Sequence, residues 1–118
     1  MGFATAQKRM ADIKFNTTTY DFGKIPEENP VATCNFIFTN TGNAPLVIQQ
    51  VTPSCGCTTA DFPKKPIMPK KKGIIKITYD GKNKPYPGII HKSATVRTNG
   101  KTGMILLYID GEMTPKKQ

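Results

Sequence analysis

Tryptophan is absent, histidine occurs once, and eight carboxylates stand against seventeen basic side chains in 118 residues. Each shortage removes a class of activity. A base-stacking platform needs aromatics interleaved with Lys and Arg, whereas here the aromatics fall mostly at alternating strand-like positions. The net charge of +9 comes from fifteen lysines and only two arginines, Arg9 and Arg97. These are flexible point charges that attract anions without reading their shape. Nucleic acid is therefore not the expected partner. With His91 as the sole imidazole, and without G-x-S-x-G, a phosphate-cradling G-x-x-x-x-G-K-[ST] or H-E-x-x-H, the familiar nucleophile, nucleotide and zinc-protease signatures are missing. Among the acids only Glu27 and Glu28 adjoin, in a proline-flanked turn that offers no acid/base division of labour. The chain is expected not to be an enzyme.

Long apolar runs are also lacking. None approaches the ~18 residues of a membrane span. Ala4-Thr5-Ala6 near the start has the small-x-small form that signal peptidase prefers, so residues 1–11 read either as a signal-peptide remnant or as a frayed N-terminus. The expected domain covers residues 12–113, with a tail at 114–118. One domain of this size buries a single core.

What the chain does contain is a regular beat of short β-like runs bounded by Gly, Pro and Asn. Seven are visible: DIKFN, TTYDFGKI, VATCNFIFTN, PLVIQQV, GIIKITYD, IIHKSATVRTN and MILLYIDGEM. No 3.6-residue period appears, and ten prolines argue against long helices. The expectation is an all-β fold, an antiparallel sandwich of about seven strands. Alternation assigns Cys34, Phe36 and Phe38 to the core, with Ile75, Ile77, Tyr79, Ala94 and Val96, and leaves His91 exposed. The last run is apolar at both parities, which predicts a strand covered on both faces. The Asn- and Gly-rich turns at 40–45 and 99–103 are expected to supply positive φ, and 80–88 reads as a longer polar loop.

Chemistry concentrates in Cys55-Gly56-Cys57. Residues two apart in extended chain project to one side, and Gly56 permits the bend that would let the sulfurs bond. Such a ring is tiny, so it would restrain the unfolded chain little and be more reducible than a long-range bridge. The alternatives are a local structural disulfide or packed thiols, a labile dithiol exchanging with a partner, and a soft-metal pair, Cys55 and Cys57, for a Cu(I)-like ion. Zinc is disfavoured because it wants four ligands and three cysteines plus one histidine are all the chain has. A bond from Cys34 to either partner would leave an odd thiol. Downstream, PKKPIMPKKKG sets Lys64, Lys65, Lys70, Lys71 and Lys72 among three prolines, a semi-rigid basic edge that grips an anion or blocks sheet-to-sheet aggregation.

The motifs YDFGKIPEENP, FIFTNTGNAPLVIQQVTPSCGCT, ITYDGKNKPYPGIIHKSATVRTN and LLYIDGEM, in that order, resemble the domain-of-unknown-function family numbered 1573, common in Bacteroidetes. The resemblance implies an immunoglobulin-like sandwich, similar to PapD-like and major-sperm-protein-like domains, usually exported. Cys34 is not part of that pattern. The expected function is a non-catalytic, monomeric binding or assembly module of the periplasm or cell envelope that takes a protein or anionic envelope component and no cofactor. Its expected binding residues are Cys55, Gly56 and Cys57 with the five lysines beside them.

Overall fold

The computed structural model of the chain describes residues 9–82 and 88–115. The signal-remnant reading of residues 1–6 and most of the loop expected at 80–88 lie outside them. Eight strands are present among the described residues: β1 (Ile13–Phe15), β2 (Thr19–Pro26), β3 (Val31–Asn40), β4 (Ile48–Pro53), β5 (Thr58–Asp61), β6 (Lys72–Asp80), β7 (Gly88–Thr98) and β8 (Met104–Thr114). They form two four-stranded sheets, sheet I in the order β1-β3-β6-β5 and sheet II in the order β2-β8-β7-β4. All seven predicted runs become strands. The eighth, β5, has the sequence Thr-Thr-Ala-Asp, too short and too polar to announce itself by periodicity.

The sheets face each other across the residues that alternation selected. Phe36, Phe38, Ile75, Ile77 and Val96 are buried, as are Cys34, Tyr79 and Ala94. Full burial of each large side chain contributes about 1.5–3 kcal/mol. From sheet II, Ile90, Leu107, Ile109 and Met113 complete the layer. The rings of Phe15 and Phe38 lie tilted, 5.7 Å apart, where β1 joins the core.

Four details depart from the sequence reading. First, β2 runs parallel to β8, from Thr19 opposite Tyr108 to Pro26 opposite Thr114. The cause is the short link between β1 and β2: the chain changes sheets within three residues and keeps its direction, so it meets β8 parallel although β1 met β3 antiparallel. Second, among the described residues nothing covers the outer face of β8, although β8 is a central strand. Met104 is 55% and Leu106 40% exposed.

Third, the glycines of the two turns serve a different purpose from the one expected. Among the described residues, positive φ occurs at Gly23 and Lys70. A Cβ on Gly42 would sit 2.2 Å from the carbonyl oxygen of Met10, and one on Gly100 2.7 Å from that of Ala11. Both turns thus clasp the incoming backbone. Fourth, and in consequence, order begins before residue 12: Ala11 is buried, and the Met10 N–H donates to Asn43 Oδ1 at 2.7 Å. At the other end Thr114 still belongs to β8.

Asn40, fully buried, ties these pieces together. Its Nδ2 donates to the carbonyls of Ala44 (2.8 Å) and Ile67 (2.9 Å), and its Oδ1 accepts from the N–H groups of Gly42 (2.9 Å) and Asp12 (3.4 Å). Its own N–H donates to the Lys71 carbonyl, and its carbonyl accepts from the Lys70 N–H. Nearby, Asp12 Oδ1 accepts from the N–H groups of Ile13 and Thr102. Burial pushes the Asp12 carboxyl upward but is outweighed by the Thr102 side chain, the Ile13 and Thr102 N–H groups and the charge of Lys101, so its pKa falls below the ordinary value.

Two outcomes follow for stability. Asn40→Asp replaces a donor facing two carbonyls with an acceptor, and should cost about 3 kcal/mol in urea unfolding at neutral pH; an unchanged midpoint would refute the role given to this side chain. For Asp12 the folded pKa is depressed, so its contribution is complete above the unfolded value and is lost as pH falls through the folded one. The stability gap between the wild type and Asp12→Asn should be constant from about pH 8 to 5 and close below about pH 4. A gap that widens on acidification would contradict this.

Candidate functional site

The cysteine pair occupies the crossover from β4 in sheet II to β5 in sheet I. On the β4 side the Ser54 N–H donates to the Ser93 carbonyl at 2.8 Å, and Ser54 Oγ accepts from the Ser93 N–H at 3.0 Å. On the β5 side the Cys57 carbonyl accepts from the Asp80 N–H at 2.8 Å. The crossover is thereby pinned to both sheets. Cys55 and Cys57 are bonded to each other, with Cα atoms 5.3 Å apart. Cys57 is buried and Cys55 half-buried, and the buried Thr58 hydroxyl lies 3.5 Å from the Cys55 sulfur and 3.8 Å from that of Cys57. Cys34 is a free thiol in the core, and burial pushes its pKa up to about 11. Of the pairings the sequence left open, the structure thus takes the local one.

The lysines do not stand beside the sulfurs. Lys72 opens β6 and Asp80, which holds the Cys57 carbonyl, closes it; the two ends are about 26 Å apart along extended chain. Of the residues expected to form one site with Cys55, Gly56 and Cys57, namely Lys64, Lys65, Lys70, Lys71 and Lys72, the last three thus lie at the far end of β6, and Lys64 sits against Phe62, just past β5. Nearness in sequence misled because β5 leads away from the crossover, antiparallel to β6, and the chain continues in that direction until β6 begins.

The lysine segment is itself anchored. Leu46 and Ile67 exchange two backbone hydrogen bonds of 2.8 Å. Then Met68-Pro69-Lys70-Lys71 makes a tight turn in which the Lys71 N–H donates to the Met68 carbonyl at 3.0 Å. Pro69 followed by Lys70 at φ 70° is the pattern of a type II turn, whose third residue is ordinarily Gly or Asn. A lysine there accepts backbone strain that glycine would avoid, and the difference it makes is its charge. Lys72, Thr39 and Lys14 stand in one cross-strand row. Closer to β5, the Lys64 ammonium lies 3.3 Å above the centroid of Phe62.

A second region, on the outer face of sheet II, was not singled out in the sequence. Asp21, Lys24, Ile89, His91, Asp110 and Glu112 line an open depression of about 560 Å³. His91 Nδ1 contacts Asp110 Oδ1, and its ring stacks on Tyr108 at 5.6 Å. The signal available in the sequence was the outward series Met104, Leu106, Tyr108, Asp110 and Glu112 on one strand. The place of His91 beside it depends on the β7–β8 register, which pairs His91 with Asp110.

The family model described as "Protein of unknown function (DUF1573)" matches residues 13–113. The chain belongs to that family. No curated protein matches it. Among solved structures it is similar to a protein of unknown function from Porphyromonas gingivalis W83, at 18% identity and a TM-score of 0.78 over 92% of this chain and 50% of that one. The chain thus spans half the length of that relative. It is also similar to the ASH/PapD-like domain 7 of human CEP192 (9% identity, TM-score 0.64, 99% of this chain and 96% of that one) and to the YadV chaperone (20%, 0.60, 90% and 53%). These likenesses show the fold, an immunoglobulin-like, PapD-like sandwich.

The thiol arrangement has a direct check. Intact mass after alkylation at pH 8 should show no adduct on the native oxidised protein, two after reduction of the native protein, and three after reduction of the unfolded chain, with Cys34 as the late site. Early labelling of Cys34, or labelling of the oxidised native protein, would contradict it.

Proposed function

We propose that this member of the DUF1573 family is a non-catalytic, exported module of the cell envelope that binds or assembles with a protein partner through its sheet surfaces and edges. The observation that carries the reading is the open apolar face of sheet II. Met104 and Leu106 point outward from a central strand at one end of that face, while the exposed Ile89 lies at the other end, opposite Glu112. A strand with apolar residues on both faces, only one of which is buried by the described residues, leaves surface that a partner can remove from water. The PapD-like fold of a chaperone such as YadV agrees with a protein-binding role.

The edges are unequal in what they offer. β2 is the longest edge strand, yet part of its backbone is already served by side chains. Thr17 Oγ1 donates to the Thr19 carbonyl and accepts from its N–H, and Asp21 Oδ1 accepts from the Gly23 N–H at 2.7 Å, where the pairing with β8 shifts register. Bulges and local side-chain bonds of this kind blunt an edge against strand addition. β4 and β5, consecutive in the chain and on the same side of the sandwich, carry the remaining opportunity for an added strand.

A second reading, thiol–disulfide exchange, is supported by the half-buried Cys55 sulfur. An external thiolate attacking Cys55 would form a mixed disulfide there and release Cys57 as the thiolate. Soft-metal binding would require that reduction first, since a disulfide sulfur is not a thiolate ligand.

Leu106→Glu tests the first reading. The side chain is outside the core, so the variant should keep its thermal midpoint within a few degrees while losing the partner that the wild type captures from the envelope fraction. A partner retained undiminished by Leu106→Glu would overturn the sheet II assignment. Loss of capture on reduction alone, with Leu106→Glu binding normally, would favour thiol exchange.

A further inference from the structure

We infer that the outer face of sheet I is a docking surface for an extended acidic segment of a partner protein, with one large apolar side chain set between carboxylates. The inference deepens the binding-module reading but rests on a different face. Alternation puts Ile37 and Ile74 outward, and the β3–β6 register sets them directly opposite each other. They are 37% and 47% exposed. Beyond one side of this pair lies the row of Lys14 and Lys72, and beyond the other lies Lys76, opposite Asn35. An apolar centre is thus bracketed by ammonium groups on both sides.

Next to Ile74 the surface becomes concave. Asn35, Asp61, Phe62, Pro63, Ile74 and Lys76 line an open pocket of about 370 Å³. Its wall is the segment leaving β5, where Lys64 caps the Phe62 ring. The floor is flat sheet. Size and lining suit one leucine- or phenylalanine-sized side chain lying against Ile74 and Phe62.

Charge selects the occupant. Lys14, Lys72 and Lys76 on the strands, with Lys64 on the wall, attract carboxylates spaced on either side of an anchor; Asp61, opposite Lys76 in register, is the one acid in the pocket lining. An extended peptide repeats every two residues on the same face, as the strands beneath it do, so its alternate positions match the basic, apolar, basic sequence of rows. A lipid headgroup layer would engage the lysines but has no single side chain to seat in a concave pocket. A protein segment is therefore the occupant favoured.

The test uses the full chain and fluorescent nine-residue peptides with Asp or Glu at alternate outward positions and Leu, Ala or Lys at the centre. The Leu peptide should bind at low ionic strength about tenfold tighter than the Ala peptide, and weaken steeply as salt is raised. Ile74→Ser should erase the preference for Leu over Ala while sparing the salt dependence. Lys72→Glu with Lys76→Glu should abolish binding, and Leu106→Glu should leave it unchanged. Equal affinity for Leu and Ala peptides, or equal lysine-dependent binding to phosphatidylglycerol vesicles, would overturn the proposal in favour of unselective anion attraction. Circular dichroism of each variant separates a lost site from a lost fold. Loss of peptide binding in Leu106→Glu would place the site on sheet II and refute sheet I. If peptides bind as expected but Leu106→Glu still captures the envelope partner, sheet I survives and the sheet II reading fails.

Discussion

The side chain of Asn40 is the constraint on which one end of the sandwich depends. It is fully buried at the end of β3, away from bulk solvent, so its two donors and its acceptor must find partners in the protein. They find them in three separate segments: the turn at 42–44, the bridge residue Ile67, and the approach to β1 at Asp12. Its backbone adds Lys70 and Lys71. One amide thus orders the N-terminal entry, a turn and the lysine segment together. Asn40 thereby fixes the positions from which Lys70 and Lys71 project. The strain accepted at Lys70, with its φ of 70°, is tolerable because Asn40 and Met68 hold the residues on either side of the peptide bond.

At the β4–β5 crossover a different device does the holding. The crossing chain has few strand bonds of its own and is gripped by Ser54 on sheet II and by the Cys57 carbonyl on sheet I. A two-residue disulfide loop restrains an unfolded chain only slightly. Its structural effect is local: it fixes the bend through which the chain changes sheets and places Cys57 and Thr58 inside. The half-buried Cys55 sulfur is what such a bend leaves at the surface. Cys34 shares nothing with this pair. It is a small apolar filler between the sheets, opposite Ile77 in register.

The two outer faces differ in how their charge is arranged. Sheet II mixes Asp21, Asp110 and Glu112 with Lys24 and His91 at one end, and sets Met104 and Leu106 beside Arg97 at the other. Sheet I sets lysines around Ile37 and Ile74. A net charge of +9 says only that the molecule as a whole attracts anions. The partition shows where that attraction has an apolar complement and where it is opposed.

Periodicity in the sequence settled the strands and the inward parity of Phe36, Phe38, Ile75, Ile77 and Val96, because a pleated strand presents successive residues to opposite faces wherever it occurs. It also showed that β8 is apolar on both sides, and the spaced motifs pointed to the family. Neighbours were beyond its reach. Nothing local says that β5 exists, that β2 lies parallel to β8, that His91 meets Asp110, or that the lysines end up far from the cysteines, since each is a matter of which strand pairs with which and in what register. Whether the second face of β8 is covered is likewise a fact about the number of layers, and the described residues form two. The glycines at 42 and 100 looked like turn formers and proved to be clearances for the backbone of Met10 and Ala11. Chemistry that a residue performs with its own neighbours in sequence was legible; chemistry that requires two distant segments to arrive at one place was decided by packing.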